Sequence, residues 1–300
     1  MKKITVTIGI AAYNEEKNIA NLLKSLLAQK ENQIVIEAIR IASDGSTDST
    51  VAKVKTFGDK RIKCIDDQKR LGKPSRLNYF FKKTTSDVLV IIDADMICQD
   101  EYTIQKIALK FKNKKVGFAS GGMHPLKGKT LVERAVNNYF IARTSVEKTF
   151  DFGKTSYPTH GFVAYSIDFL KDFRLPGNIL NDDAYSYFAC IHSKWKYVYA
   201  KEAGVFARSA GTLKDYTNQL IRYMKGGEQL KEYYKESIVT GALTLPAHVY
   251  LRIFGYQLIH NPLGYILLKI AFYYAVIMVK LSKKSYEVKW SMVASSKLLV

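Results

Sequence analysis

The feature that most constrains this 300-residue chain is the run Val88-Leu89-Val90-Ile91-Ile92, followed at once by Asp93-Ala94-Asp95. Consecutive aliphatic residues between polar flanks predict a strand buried on both faces, as inside a parallel sheet covered by helices. Ligands of such sheets bind beyond the carboxyl ends of the strands. Alternation along an extended chain would turn both carboxylates the same way. A hard cation, Mg²⁺ or Mn²⁺, takes one or two carboxylates and completes its shell with substrate phosphate oxygens. An isolated Asp-x-Asp is as easily a polar turn, so the weight rests on its surroundings.

Upstream, apolar runs alternate with helical patterns. Ile4 to Ala11 predicts a strand, after which Asn14 is expected to cap a helix with Glu15 and Glu16 at the positive end of its dipole. Ile19, Leu22, Leu23, Leu26 and Leu27 give that helix one apolar face. Strands over Ile34–Ile41 and Ile62–Ile65 and helices over Ser49–Phe57 and Pro74–Lys83 continue the pattern. Such alternation implies right-handed crossovers and a parallel sheet of nucleotide-binding style. Further on, the spacing predicts a helix over Tyr102–Phe111, a strand over Val116–Ser120 and a basic helical stretch over Leu126–Phe152. A Pro158-Thr159-His160-Gly161 turn is expected to shape an acceptor pocket.

With 47% hydrophobic residues the chain can bury a full core, and a net charge of +19 calls for an anionic partner: nucleic acid, a membrane surface or phosphorylated substrates. Three scattered cysteines suggest neither a disulfide framework nor a thiolate zinc site, and fit a reduced, cytosolic setting. Strand-like sequence by Ile4 leaves no room for a signal segment, so the catalytic part is expected inside the cell. No acidic residue occurs between Glu236 and Glu287, and Leu263–Val279 is apolar except for Lys269. As a helix this run spans only about 26 Å, short of the roughly 30 Å hydrocarbon core. Helices lying in the membrane interface, anchored by tyrosines and lysines, are therefore expected; a core helix or an oligomer contact would show the same composition.

From about Ile4 to Gly227 the order of motifs resembles the inverting family 2 glycosyltransferases with a GT-A fold. Ala12-Tyr13-Asn14-Glu15-Glu16 is similar to the family's opening segment lining the nucleotide pocket, and Ser43-Asp44-Gly45-Ser46-Thr47-Asp48 to the element after the second strand whose acid contacts the base. Gly72-Lys73-Pro74-Ser75-Arg76-Leu77-Asn78 resembles the glycine-lysine segment near the diphosphate, and Asp93-Ala94-Asp95 the metal motif, with Asp95 the direct ligand. Asp182-Asp183 stands where the family places its general base, here Asp183. Gln219-Leu220-Ile221-Arg222-Tyr223 is similar to an element of processive members, with tyrosine in place of tryptophan.

The resemblance implies an α/β GT-A fold, a Rossmann-like, mostly parallel sheet flanked by helices, with an apolar, membrane-associating helical C-terminal segment. Residues 1–236 would be the transferase domain (1–100 nucleotide-binding, 101–236 acceptor-binding) and 237–300 the membrane-associated segment. It implies metal-dependent, inverting transfer from a nucleotide sugar, UDP-linked by expectation, to a hydroxyl of a glycan or lipid-linked acceptor, at the cytoplasmic face of the cell membrane. Asp183 would be catalytic; Ala12, Tyr13, Asn14, Glu15, Asp44, Lys73, Asp93, Ala94 and Asp95 would bind the donor, and Gly161, Asp182, Gln219, Arg222 and Tyr223 the acceptor or diphosphate. The chemistry makes the same demands: a metal on Asp95 and Asp93 neutralises the leaving diphosphate, and a carboxylate takes the acceptor's proton. Two other readings compete. A sugar nucleotidyltransferase shares such a sheet, but no glycine-rich basic signature stands at the N-terminus. A non-catalytic nucleic-acid-binding protein would suit the charge, yet acids cluster at strand ends where a nucleic-acid groove would exclude them, so no nucleic acid is expected.

Overall fold

The computed structural model describes residues 2–146, 161–282, 286–289 and 295. Eight strands form one sheet: β1 (Ile4–Ala12), β2 (Ile34–Ser43), β3 (Ile62–Asp66), β4 (Val88–Ile92), β5 (Met96–Cys98), β6 (Val116–Pro125), β7 (Phe162–Ser166) and β8 (Lys196–Ala207), in the order β3-β2-β1-β4-β7-β6-β8-β5. The first half is parallel, with β1 between β2 and β4 and β3 outside β2. The second half is mixed. β7 runs antiparallel to both β4 and β6, and β5 antiparallel to β8, while β6 and β8 are parallel.

The aliphatic run at Val88–Ile92 is the middle of this sheet, each residue at most 1% exposed. Helices cover both faces. On one, α1 (Ile19–Leu27) buries Ile19, Leu22, Leu23 and Leu26, with α2 (Thr50–Lys55) and α4 (Thr103–Ala108) beside it. On the other, α3 (Lys73–Lys83) lays Leu77, Phe80 and Phe81 against Leu89, Ile91 and an aromatic cluster around Tyr165.

The helix expected over Leu126–Phe152 is α5 (Leu131–Val146); residues 147–152 and the Pro158-Thr159-His160 turn lie outside the described residues. A one-turn helix, α6 (Ile167–Leu170), follows β7. Next come α7 (Asp182–His192) and α8 (Leu213–Tyr233), then α9 (Glu236–Leu243), α10 (Ala247–His260) and α11 (Pro262–Leu281). Helices α10 and α11 pack on α5, and α11 also on α8.

Away from those contacts Leu251, Ile259, Leu263, Ile266, Ile270, Tyr273, Ile277 and Leu281 are more than half exposed. Pro262 starts α11 without breaking it, because the first turn needs no donor from that nitrogen. The helix therefore has 20 residues and a mean hydropathy of 1.8 over its apolar window. It measures about 30 Å, so the shortfall against a bilayer core inferred from the shorter run does not hold. Lys269 donates to Tyr250 Oη at 2.6 Å and lies against the Tyr250 and Tyr265 rings, its charge shared with aromatic faces.

Candidate active site

The carboxyl ends of β1, β2 and β4 open on one cleft. At the end of β1, buried Ala12 pairs with Ser43 of β2, and its carbonyl accepts from Asp44 N–H at 2.8 Å. The next residues leave the sheet. Tyr13 carries the Arg70 guanidinium 3.8 Å above its ring. Asn14 is not a helix cap: its φ is +52°, a left-handed conformation that asparagine tolerates. Its side-chain oxygen accepts from Thr47 N–H at 2.8 Å, tying β1 to the loop after β2. The cap position of α1 falls instead to Asn18, so Glu15 and Glu16 precede the first turn. Glu15 is buried, donates its N–H to Thr50 Oγ1 at 2.7 Å and accepts from the Asn18 amide at 3.0 Å.

Asp44, expected to read the base, spends its carboxylate inside the chain. It accepts from the N–H groups of Leu71 (2.8 Å) and Gly72 (3.1 Å) and from Arg76 Nε (3.0 Å). Arg76, 2% exposed, also grips Asp67 and the Lys69 carbonyl. The Arg76 guanidinium holds the Asp67 carboxyl at about 2. These contacts fix the loop that turns into α3, whose N-terminus faces the cleft with Pro74 in its first turn. Sequence reasoning missed Arg70 and Asp67. The run Asp66-Asp67-Gln68-Lys69-Arg70, two acids answered by two cations just before Gly72, was the available signal.

Lys73, first in α3, is the hub. Its ammonium sits 2.8 Å from Asp93 Oδ1 at the end of β4 and 3.3 Å from Asp182 Oδ2 at the start of α7. Burial pulls its pKa down, but the Asp182, Asp93 and Asp183 carboxylates outweigh that and hold the ammonium well above the ordinary lysine range. The strand ends at Ile92, so Asp93 and Asp95 do not alternate on an extended chain; they occupy a turn closed by Met96 N–H to Asp93 C=O at 3.2 Å. Ala94 is buried beneath it and Asp95 is half-buried.

Gly161 stands at the mouth of β7, its carbonyl accepting from Asp93 N–H at 3.0 Å and its φ at +71°. A Cβ there would lie 2.7 Å from Asp93 Cγ. The structure thus places Gly161 directly against Asp93.

Asp182 and Asp183 open α7, where the helix dipole favours negative charge. Asp182 is buried, and Asp183 is half-buried with one oxygen on Ala184 N–H at 2.8 Å. Gln219, Arg222 and Tyr223 share one face of α8 at helical spacing. The Gln219 amide donates to Tyr223 Oη at 3.0 Å, and the Arg222 guanidinium lies 5.1 Å from the center of the half-exposed Tyr223 ring. Burial lowers the Arg222 pKa, but Tyr223, Asp182, Asp183 and Asp93 raise it on balance, which places this arginine in the field of the same acids.

The donor set suits a hard divalent cation: carboxylates in a turn at a strand end, with a lysine ammonium already seated between Asp93 and Asp182 where positive charge is wanted. Among the described residues no group of three or more acid, histidine or cysteine side chains forms a preformed cage. Asp95 and Asp93 would hold the ion, and substrate phosphates and water would complete its shell.

A mixed sheet of this order, with acids and a helix N-terminus at the parallel strand ends, has the form of a GT-A fold. Residues 7–174 match the model of glycosyl transferase family 2, and the chain belongs to that family. Poly-beta-1,6-N-acetyl-D-glucosamine synthase of Staphylococcus aureus (strain COL) is 30% identical over 119 residues, 39% of this chain and 28% of that protein, so the chain matches under a third of this relative's length.

Among solved structures, the mannosyltransferase PcManGT of Pyrobaculum calidifontis, in complex with GDP-Man and Mn²⁺, superposes with a TM-score of 0.63 at 18% identity, covering 92% of this chain and 76% of that one. TarS 1-349 of S. aureus gives 0.53 at 16% identity over 93% and 88%. Glucosyl-3-phosphoglycerate synthase of Mycobacterium tuberculosis, solved with Mn²⁺, UDP-glucose and phosphoglyceric acid, gives 0.51 at 16% over 76% and 79%. These likenesses establish the fold.

Proposed function

We propose that the protein transfers a sugar, with inversion, from a nucleoside-diphosphate sugar to a hydroxyl of a cell-surface glycan or lipid-linked acceptor, in a reaction that depends on Mg²⁺ or Mn²⁺. The observation that carries this reading is convergence: Lys73, Asp93, Asp182, Asp183 and Arg222, drawn from four separate elements, meet around one ammonium-carboxylate cluster. A cation bound at Asp95 and Asp93 supplies charge neutralisation for the departing diphosphate. Lys73 and the N-terminus of α3 bind the same phosphates. Asp183, at the start of α7, accepts the acceptor hydroxyl's proton as that oxygen attacks the anomeric carbon opposite the leaving group. Gln219, Arg222 and Tyr223 form the wall along which an acceptor lies. The name of the staphylococcal relatives supports a polysaccharide product, and UDP is the expected carrier.

Residues 1–236 form the transferase portion and 237–300 the membrane-associating portion. The exposed apolar faces of α10 and α11, with the basic charge of the chain, support seating at the cytoplasmic face of the cell membrane.

The test is a panel of UDP- and GDP-sugars with full-length protein in lipid vesicles. Turnover abolished by EDTA and by Asp95→Ala, with Asp183→Asn still binding donor but not turning it over, is the expected result. Well-folded protein that neither binds nor consumes any donor in the panel refutes the proposal, and pyrophosphate release from a nucleoside triphosphate would favour a nucleotidyltransferase.

A further inference from the structure

Lys269 is the one charged residue of α11 before Lys280, in a stretch where no acidic residue occurs between Glu236 and Glu287. Its ammonium donates to Tyr250 Oη of α10 at 2.6 Å and lies 5.1 to 5.6 Å from the centers of the Tyr250, Tyr265 and Phe272 rings. Among the described residues no carboxylate stands within ion-pair reach of it. An ammonium carries three N–H donors. Phenol oxygens and ring faces bring no full negative charge to balance it.

The packing of α11 fixes the depth at which this charge meets a membrane. Gly264, Leu268, Ala271 and Ala275 are buried at helical spacing, and a Cβ on Gly264 would lie 2.7 Å from Ala135 Cβ of α5. Leu268 packs with Ala135 and Val136 of α5 and with Tyr216 of α8. A course across the bilayer would draw α5 and α8 into hydrocarbon as well, with charges such as Arg134 and Lys214. The helix therefore lies along the transferase, with Leu263, Ile266, Ile270, Tyr273 and Ile277 outward and more than half exposed. Such a stripe sinks only about 5–10 Å, to the boundary between headgroups and acyl chains. Tyr265, Lys269 and Phe272 form the flank between the two faces, on the side of Tyr250, so the ammonium stands at headgroup level.

We propose that Lys269, held by Tyr250, binds the phosphate of an anionic membrane lipid. The proposal rests on the seating of α10 and α11 at the membrane given above. A lipid phosphate answers each feature of the place: it supplies the missing negative charge, accepts several charge-assisted hydrogen bonds, and lies at the level the ammonium reaches. The Tyr250 hydroxyl accepts one N–H and so aims the ammonium, leaving donors for phosphate oxygens. Leu251 beside Tyr250, and Ile266 and Ile270 beside Lys269, are apolar and more than half exposed, a surface suited to the acyl chains of the same lipid. Because α11 packs on α8, a lipid bound here would also set the height of Gln219, Arg222 and Tyr223 above the bilayer.

The experiment measures binding of the full chain to vesicles of phosphatidylcholine alone, with phosphatidic acid, and with oleate at the same surface charge. Wild type is expected to bind the phosphatidic acid vesicles at least about tenfold more tightly than the oleate vesicles, the worth of a charged hydrogen bond. Lys269→Gln should bring that ratio close to one, and Tyr250→Phe should lower it about threefold. Lys280→Gln, at an exposed lysine of the same helix, should weaken binding to both anionic vesicles alike, by about fivefold. A preference for phosphatidic acid that survives Lys269→Gln, or that Lys280→Gln abolishes equally, overturns the site. Inorganic phosphate that removes the preference at matched ionic strength overturns the lipid as its source. Wild type that binds all three vesicles equally overturns the site and leaves the seating in place, whereas wild type that binds none refutes the seating and the site with it.

Discussion

Replacing Gly161 with alanine tests the geometry of the site without touching a charged group. Two costs can be worked from the structure. The residue has φ +71°, and an L-side chain in that region costs roughly 1–2 kcal/mol. The new Cβ would also lie 2.7 Å from Asp93 Cγ and 3.2 Å from Met96 Cε. Ordinary carbon contact is about 3.5–4.0 Å, so the Asp93 carboxyl must withdraw by about 1 Å. That movement strains its 2.8 Å pair with Lys73 and shifts one of the two acids proposed to hold the metal. Misplacement by about 1 Å costs on the order of a hundredfold in rate. At about 2–4 °C per kcal/mol for a domain of this size, the backbone cost alone lowers Tm by roughly 2–8 °C. The assay pairs a thermal melt with initial rates on the best donor, using Gly177→Ala as control because nothing lies within 4 Å of a Cβ there. A Gly161→Ala enzyme with wild-type turnover and a wild-type melt would refute the placement of Gly161 against Asp93.

Asp44→Ala should behave as a stability mutant, because it leaves the guanidinium of Arg76, 2% exposed, short of a buried partner. The expected loss is about 3–5 kcal/mol, read by denaturant unfolding; a drop in nucleotide affinity with unchanged stability would show the carboxylate turned toward the base instead. Asp67 has a folded pKa of about 2 against an ordinary 3.8, so its contribution is fully present above pH 4 and is lost as pH falls through 2. Asp67→Asn should therefore flatten the stability profile between pH 4 and 2, measured by melts across that range, and an unchanged profile would count against the Arg76 contact. Lys73→Met should weaken nucleoside-diphosphate binding roughly ten- to hundredfold, the worth of a charged hydrogen bond. Calorimetry with UDP and GDP checks it, and unaltered affinity would remove Lys73 from the phosphate site.

How much of this was legible in the chain depended on how local the signal was. The run ending at Ile92 announced a central strand because five buried aliphatic residues need cover on both faces. Strand β8 left no such mark. Its register with β6 shifts between Gly121 and Gly122, so that Ala200 pairs with the first and Gly204 with the second. The bulge puts Lys201 and Glu202 in the middle of the strand, exposed and with Glu202 paired to Lys110, which breaks the two-residue period by which strands are read. The helix start was misplaced for a related reason: Asn14 has the composition of a cap, but its amide is drawn to Thr47 across the sheet. The order of motifs brought Asp93 and Asp183 to one cleft, yet nothing in their spacing showed Lys73 as the group between Asp93 and Asp182. That is a property of where β4, α3 and α7 end in space.

The position of Lys73 bears on why the cluster tolerates so much negative charge. Asp93, Asp95, Asp182 and Asp183 together carry a formal charge of four negative, and Lys73 and Arg222, both in the field of Asp93, Asp182 and Asp183, return two positive. The remainder matches one divalent ion. Without that ion, like charges at these distances would destabilise one another, and Lys73 limits the cost by bridging the two acids that come from different elements. A cation held by Asp95 and Asp93 would supply charge neutralisation there, and would leave the Lys73 ammonium, now paired with Asp93 and Asp182, able to turn to phosphate oxygens. A lysine suits this exchange better than an arginine would, because its point charge on a flexible stem can change partners without rebuilding a bidentate geometry. Lys73→Arg should therefore keep the fold and the cluster's charge, yet lose more turnover than nucleotide affinity; equal losses in both, measured by kcat against Kd, would show that the side chain serves as a fixed counter-ion and does not change partners.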